Sequence, residues 1–506
     1  MKKFLKAVII TTLLGVLTRI IGFLLKIYIS RKIGAEALGF YQISLSAFFL
    51  LCSLVTSGLP LVISRKIAKD NKTEAKILGS GIVLSLSITI LVVLAIILFP
   101  SLFSSLWGQQ QSLNCLYVLL PAVFFTALYV PFRGSFWGKK NFFTLGFVEL
   151  LEQIVRFICC IVVFSLVINM TGEIKASITY TIACGISTIF AIVIFFKQGG
   201  KLNISLKGVP SLVKESTPIA IVRIGSSLVT MLISIIFPAT LAKYGGSLTS
   251  AVGEYGIVTG MVFPLLTIPG TIIGSISVAL LPELSTPDEN AIRHQINKSI
   301  SYSIIISLIL FPIFFVLGED IGVMLYGNVS AGKLLSVGSF LLLPLGLSQI
   351  TSSILNALNK EKIGLFINIF CSLFLIGSAI FLPKYCGIYA LIIGFAGMSV
   401  LQTILDIFAI RKYLTTEPLK VLVKNIAMCI PACLFALFID GICTKTVNST
   451  ILSIFLSSGV SVSSLMILLF TFNMIDISSL LPRAGRHKNH KTQNSTVNLI
   501  NVGDIK

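Results

Sequence analysis

Four basic side chains lie where an apolar run should hold none: Arg19 and Lys26 in the stretch 4–30, Arg156 in 142–168 and Arg223 in 216–242. A charge near the centre of a bilayer costs about 2.5–3.5 kcal/mol on insertion scales, so such residues face a bundle interior or a wet cavity. Lys26 follows Arg19 by seven residues, roughly two helical turns, which puts both on one helix face with Gly22 near it. No carboxylate accompanies Arg19, Lys26 or Arg223 within those stretches, so a cavity lined by them attracts an anion, and arginine suits bidentate phosphate binding. The alternatives are snorkelling of Lys26 to the outer surface and a purely structural place for Arg223.

The stretch 142–168 carries ELLEQIVR, in which Glu149, Glu152 and Arg156 fall on one stripe at spacings of three and four. Glu152 and Arg156 have the order and spacing of an intrahelical ion pair, expected either to bind a lobe together or to gate it. Asp406 is placed at the membrane interface. The run VFPLLTIPGTIIG holds Pro264, Pro269, Gly270 and Gly274, which free backbone carbonyls and permit bending; Pro264, Pro269 and Gly270, with Gly22, are the hinge candidates.

The positioning elements follow from composition. The chain has 506 residues, 55% hydrophobic and 11% charged, which excludes an ordinary water-soluble domain. A helical span needs about 20 mostly apolar residues, and fourteen such stretches are read here, including 4–30, 37–60, 142–168, 216–242, 257–282, 299–318, 387–410 and 450–474. With both termini placed inside, 28 of the 39 Lys and Arg residues fall on the inner side and seven on the outer, as cytoplasmic loops require. Arg31 and Lys32 are the discordant outer pair. The net charge of +20 is spread over short loops beside apolar helices, which favours anionic lipid head groups over nucleic acid as the partner. The basic, apolar N-terminus lacks a small-residue cleavage site and reads as a retained first helix.

An internal repeat is expected. ALGFYQI (Ala37 to Ile43) matches AVGEYGI (Ala251 to Ile257) at an offset of 214, and FWGKKNFFTLGF (Phe136 to Phe147) parallels ALNKEKIGLFIN (Ala357 to Asn368) at an offset of 221. The fold class is therefore an all-α polytopic membrane protein with fourteen spans, built as two parallel six-helix repeats plus two C-terminal helices. The divisions are an N-lobe at 1–196, a cytoplasmic linker at 197–215, a C-lobe at 216–415, helices thirteen and fourteen at 416–475, and a flexible basic tail at 476–506. Two repeats of like orientation enclose a cavity whose rocking gives alternating access. The ten cysteines show no CxxC spacing, and the three histidines lie outside the spans, so no metal, cofactor or catalytic site is expected. A disulfide between Cys386 and Cys443 is open.

The motifs TRIIGFLLKIYISRKIGAEALGFYQI, SGLPLVISRKIAK and ELLEQIVRF resemble the sporulation branch of the polysaccharide-exporter-type members of the multidrug, oligosaccharidyl-lipid and polysaccharide (MOP) flippase superfamily. The resemblance covers all fourteen stretches and implies a V-shaped two-lobe bundle in the bacterial cell membrane, or in the membrane around the forespore. It implies outward flipping of an undecaprenyl-pyrophosphate-linked saccharide, with a proton, sodium or membrane potential as driving force and cell-wall synthesis enzymes as partners. MurJ-type lipid II flippases are a similar, more distant group. Thr18, Arg19 and Gly22 match their first-helix pattern, whereas Leu25 stands for its second arginine and Lys26 for its acid. The rival readings are a cation-coupled multidrug antiporter, which needs an acidic cavity, and a non-transporting scaffold for cell-wall enzymes.

Overall fold

The computed structural model describes residues 2–56, 58–99, 109–166, 169–284, 288–446 and 450–471, and among these it is almost wholly helical. The expected tail at 476–506 lies outside the described residues, as does the side chain of Cys443. Cys386 is free.

The helical segment Lys2–Thr56 is broken at Gly34, whose φ of 76° belongs to the left-handed region, giving α1 (2–33) and α2 (35–56). A second left-handed glycine, Gly58, turns the chain into a short amphipathic helix, α3 (Leu59–Lys69), that opens with Pro60 in its first turn. There follow α4 (Glu74–Leu98), α5 (Gln110–Gly138), α6 (Phe142–Ser165), α7 (Gly172–Lys197) and α8 (Val209–Gly245). The next are α9 (Leu248–Leu266), α10 (Ile268–Glu283), α11 (Glu289–Ile309), α12 (Phe311–Tyr326), α13 (Val329–Gly338) and α14 (Leu342–Ala357). The chain closes with α15 (Glu361–Phe381), α16 (Pro383–Cys386), α17 (Tyr389–Ile410), α18 (Glu417–Thr446) and α19 (Thr450–Thr471).

Each of the fourteen apolar stretches carries helix, and ten described helices are long and apolar enough to cross a bilayer. The bent pair α9–α10 makes an eleventh. The difference from fourteen has physical sources. The first two stretches form one run in that count despite the break at Gly34, α6 carries the three charges of Glu149, Glu152 and Arg156, and the described apolar part of α19 is short. Boundaries also differ from expectation. Helix α8 begins at Val209 rather than 216, because Pro210 fits a first helical turn and Leu212 and Ser216 are buried there. This shortens the expected linker of 197–215.

Helix α3 explains basic residues read as a loop. Leu59, Val62, Ile63 and Ile67 recur at helical spacing and are buried against α5, where Gly134 and Gly138 leave room for Ile63 and Ile67. Lys66 on the other face pairs with Glu215 at 2.6 Å.

The repeat is visible in backbone detail. The turns α5–α6 and α14–α15 both place a non-glycine residue in the left-handed region, Lys140 at φ 57° and Asn359 at φ 58°. Asn141 N–H bonds Phe136 C=O at 2.8 Å, and Lys360 N–H bonds Leu355 C=O at 2.9 Å. These turns therefore correspond at an offset of 219 (360 − 141), correcting the 221 expected from letter matching.

Helices α1–α7 form one bundle and α8–α17 a second, while α18 and α19 pack on α11 and α12. The bundles meet where the first repeat motif touches its counterpart. A Cβ on Gly39 of α2 would lie 2.0 Å from the Val252 carbonyl oxygen of α9, and one on Gly256 would lie 2.5 Å from Gly39 N. Only glycine permits this crossing. At the same end, away from the basic loops, the Arg31 guanidinium donates to the Met324 carbonyl of α12 at 2.5 Å. Gly39→Ala is expected to pry the crossing apart. Amide hydrogen exchange over 248–262 should rise by about tenfold or more, the equivalent of about 1.4 kcal/mol, and unchanged exchange would refute the packing role.

Candidate functional site

Helices α1 and α6 run side by side in the same direction. Leu14 of α1 packs at Gly146, Gly22 faces the Gln153 carboxamide, and Tyr28 meets Phe157 edge-on at 6.2 Å. Gly22 thus lies in unbroken helix as a point of close approach to Gln153, and the break in this part of the chain is at Gly34.

Arg19 and Lys26 project from α1 with exposed side chains, and Arg223 is exposed on α8. None of the three enters an ion pair among the described residues. Lys26 stands within electrostatic range of Arg156, so two positive charges adjoin on the α1–α6 face.

Arg156 itself is held in place. It pairs with Glu152 one turn earlier, with the two side chains only 12% and 23% exposed, and its guanidinium lies 3.9 Å from the centre of the Tyr180 ring of α7. Glu149 does not join them. It pairs with Arg133 of α5 at 2.8 Å, because its place one turn nearer the basic end brings it within reach of that side chain. The expected stripe of Glu149, Glu152 and Arg156 is therefore two separate pairs. Both lie inside the first bundle, so neither bridges the two lobes in this conformation.

A cavity of about 360 Å³ opens between the bundles. It is lined by Gln42 and Ser46 of α2, Thr230 of α8, Thr259 of α9 and Asn368 of α15, together with aromatic and aliphatic side chains. Arg19, Lys26, Arg223, Glu149, Glu152 and Arg156 do not line it. The neutral cavity and the cationic α1–α6 face are distinct surfaces. At the cavity's edge the Ser46 and Ser234 hydroxyls join α2 to α8 at 2.6 Å.

The helix holding Pro264, Pro269 and Gly270 is broken at Thr267, with a bend of 49° between 248–266 and 268–277. A π-helical turn at Ile257–Val262 precedes the break. Pro264 and Pro269 flank it, and the Gly270 carbonyl accepts a hydrogen bond from Gln349 Nε2 of α14 at 2.8 Å. A side chain at Gly270 would collide with Gln349.

The surroundings of three residues are not legible in the sequence. Arg133 was assigned to a loop, but α5 continues past it to Gly138. Arg31 was the discordant outer cation, and that discordance was its signal. Asp406, expected at the interface, is wholly buried in protein, accepting from Thr351 Oγ1 at 2.8 Å and Ser352 Oγ at 2.9 Å. No cluster of three metal-binding side chains occurs among the described residues.

Comparison with known proteins agrees with this architecture. Stage V sporulation protein B of Bacillus subtilis (strain 168) is 25% identical over 516 aligned positions, covering 96% of this chain and 98% of that protein. The lipid II flippase MurJ in an inward closed conformation superposes with a TM-score of 0.74 at 15% identity, over 92% of this chain and 98% of that one. An inward-facing MATE-family multidrug resistance transporter of the MOP superfamily gives a TM-score of 0.61 at 15% identity, covering 78% and 94%. The family model for polysaccharide biosynthesis proteins matches residues 4–288, more than half of the sequence, and the chain belongs to that family.

Proposed function

We propose that the protein is a flippase that moves a lipid-linked anionic saccharide across the bacterial cell membrane by alternating access of its two bundles. The substrate is an undecaprenyl-pyrophosphate-linked peptidoglycan precursor of the lipid II type, and its use is in spore cortex synthesis at the membrane around the forespore. The single observation that carries this reading is the pair Arg19 and Lys26, accessible on α1 and without a carboxylate partner among the described residues. Glu152 is already matched with Arg156, and Glu149 with Arg133, so the face keeps a net positive charge that suits a pyrophosphate rather than a cationic drug. Arg19 neutralises the pyrophosphate, with Lys26 and Arg223 assisting on either side.

Fourteen spans with both termini inside place the basic loops in the cytoplasm. The bundles then touch at the outer end, through Gly39, Gly256 and Arg31, and the saccharide enters from the cytoplasmic side. The polyprenyl tail stays in lipid.

The test is reconstitution in vesicles with labelled lipid II. Arg19→Ala should slow flipping by about tenfold, the scale of one lost charge-assisted hydrogen bond, while the protein inserts and melts as the parent does. Undiminished flipping by the folded variant removes Arg19 from the reading. Scoring the parent with and without proton and sodium gradients identifies the driving force.

A further inference from the structure

The lipid-facing side of the first bundle carries a pattern that the transport reading does not use. On α4, Ser87, Leu91, Leu94 and Leu98 follow one another at spacings of four, three and four, and all are exposed, the leucines at 68%, 46% and 66%. That alternation is the spacing by which paired helices seat side chains along a common seam. Ser87 lies near the middle of this apolar helix, and its hydroxyl makes no hydrogen bond among the described residues. Lipid tails offer it no donor or acceptor, and in membranes such side chains bond across helix pairs.

The second bundle shows what belongs on this face. At the start of α4 the Asp70 carboxylate accepts from Lys72 N–H at 3.0 Å, and at the start of α11 the Asp288 carboxylate accepts from Asn290 N–H at 2.9 Å. These helices therefore correspond at an offset of 218 (288 − 70), which also aligns the buried Ser85 and Thr89 with the buried Ser303 and Ser307. The same offset aligns Ser87 with Ile305, which is only 5% exposed because it packs in a cluster with Met428 and Ala432 of α18 and Leu465 of α19. A helix pair covers this face in the second bundle, and no described helix covers it in the first.

Two features fit a second copy of the chain as the missing cover. With a two-fold axis along the membrane normal, α4 and its copy run parallel, and the seam residues of a parallel pair meet their own counterparts, so the seam complements itself. In such a contact each charge near the axis would also meet its like, and the sequence from 77 to 132 contains no charged residue at all. Beside the seam a groove of about 460 Å³, walled by Ile90 and Ile97 of α4 and Leu120 and Phe124 of α5, leaves room for the side chains flanking the seam of the other copy. Close packing of this kind drives helix association in lipid.

We propose that α4 is the contact of a parallel homodimer, in which the seam of Ser87, Leu91, Leu94 and Leu98 packs against the same seam of a second copy. This goes beyond the flipping reading, and its test involves no lipid substrate.

The test uses the full chain in phospholipid vesicles. Oxidation of Ser87→Cys, Leu91→Cys, Leu94→Cys or Leu98→Cys should give a disulfide-linked dimer, whereas Ile189→Cys, exposed on α7, should give none beyond the parent carried in parallel. Energy transfer between donor- and acceptor-labelled copies should report the same dimer. Its dissociation constant should rise about threefold in Ser87→Ala, the scale of one interhelical hydrogen bond in lipid, and about tenfold in Leu91→Ala/Leu98→Ala. The side chains face lipid, so each variant should melt as the parent does. Cross-linking as strong at Ile189 as on the seam overturns the proposal. So does energy transfer no greater than chance proximity gives at the same protein-to-lipid ratio, a result that would leave the groove to a lipid chain. Variants that associate as tightly as the parent overturn it as well.

Discussion

Oxidation of a Ser46→Cys/Ser234→Cys double variant is expected to abolish flipping, and reduction to restore it. The two hydroxyls lie 2.6 Å apart, fully buried, one on α2 of the first bundle and one on α8 of the second. Such proximity is compatible with the Cβ separation of about 3.5–4.5 Å that a disulfide needs. A covalent bond there fixes the bundles beside the cavity, about two helical turns along α2 from the crossing of Gly39 and Gly256, and alternating access requires that contact to open. Residual flipping should fall to the level of protein-free vesicles, a loss of about a hundredfold or more that corresponds to roughly 3 kcal/mol. Each single variant, oxidised in parallel, controls for the native cysteines. Flipping that continues through a verified cross-link would show that the bundles do not separate at this contact.

The second large effect concerns stability. Arg156→Leu should cost about 3 kcal/mol, because it leaves the mostly buried Glu152 carboxylate without its partner. The side chains are 12% and 23% exposed, and Arg156 also covers the Tyr180 ring, so the substitution removes an ion pair and a cation–π contact together. The double variant Glu152→Gln/Arg156→Leu should recover most of that loss, since two uncharged side chains of similar volume need no counter-charge. Thermal unfolding in detergent separates the outcomes. If the double variant is as unstable as Arg156→Leu, the defect comes from lost packing on Tyr180 and not from an unpaired charge. The Arg133–Glu149 pair provides the comparison: it is about 40% exposed on both partners, and breaking it should cost no more than about 1 kcal/mol.

The parts of the architecture legible in sequence are those set by local rules. Apolar runs bounded by charges, glycine and proline all became helices, and the spacing of Glu152 and Arg156 correctly foretold a pair one turn apart. Pro264 and Pro269 marked the broken helix because proline removes a backbone donor wherever it stands. The match between ALGFYQI and AVGEYGI was detectable, yet its meaning was not. Those glycines are there because the two copies press against each other, a relation between helices more than 200 residues apart.

Sequence by itself determined that this is a many-helix membrane protein with an internal repeat and cations set within apolar stretches, because hydropathy, helical periodicity and charge cost act along the chain. Only the tertiary structure decided the partners of the charges. Glu149 takes Arg133 instead of Arg156, Arg31 reaches Met324, and Asp406 sinks between α14 and α17. The reason is physical: a charged group settles wherever neighbouring helices bring hydrogen-bonding groups within about 3 Å, and which helices are neighbours is a property of the packed bundle.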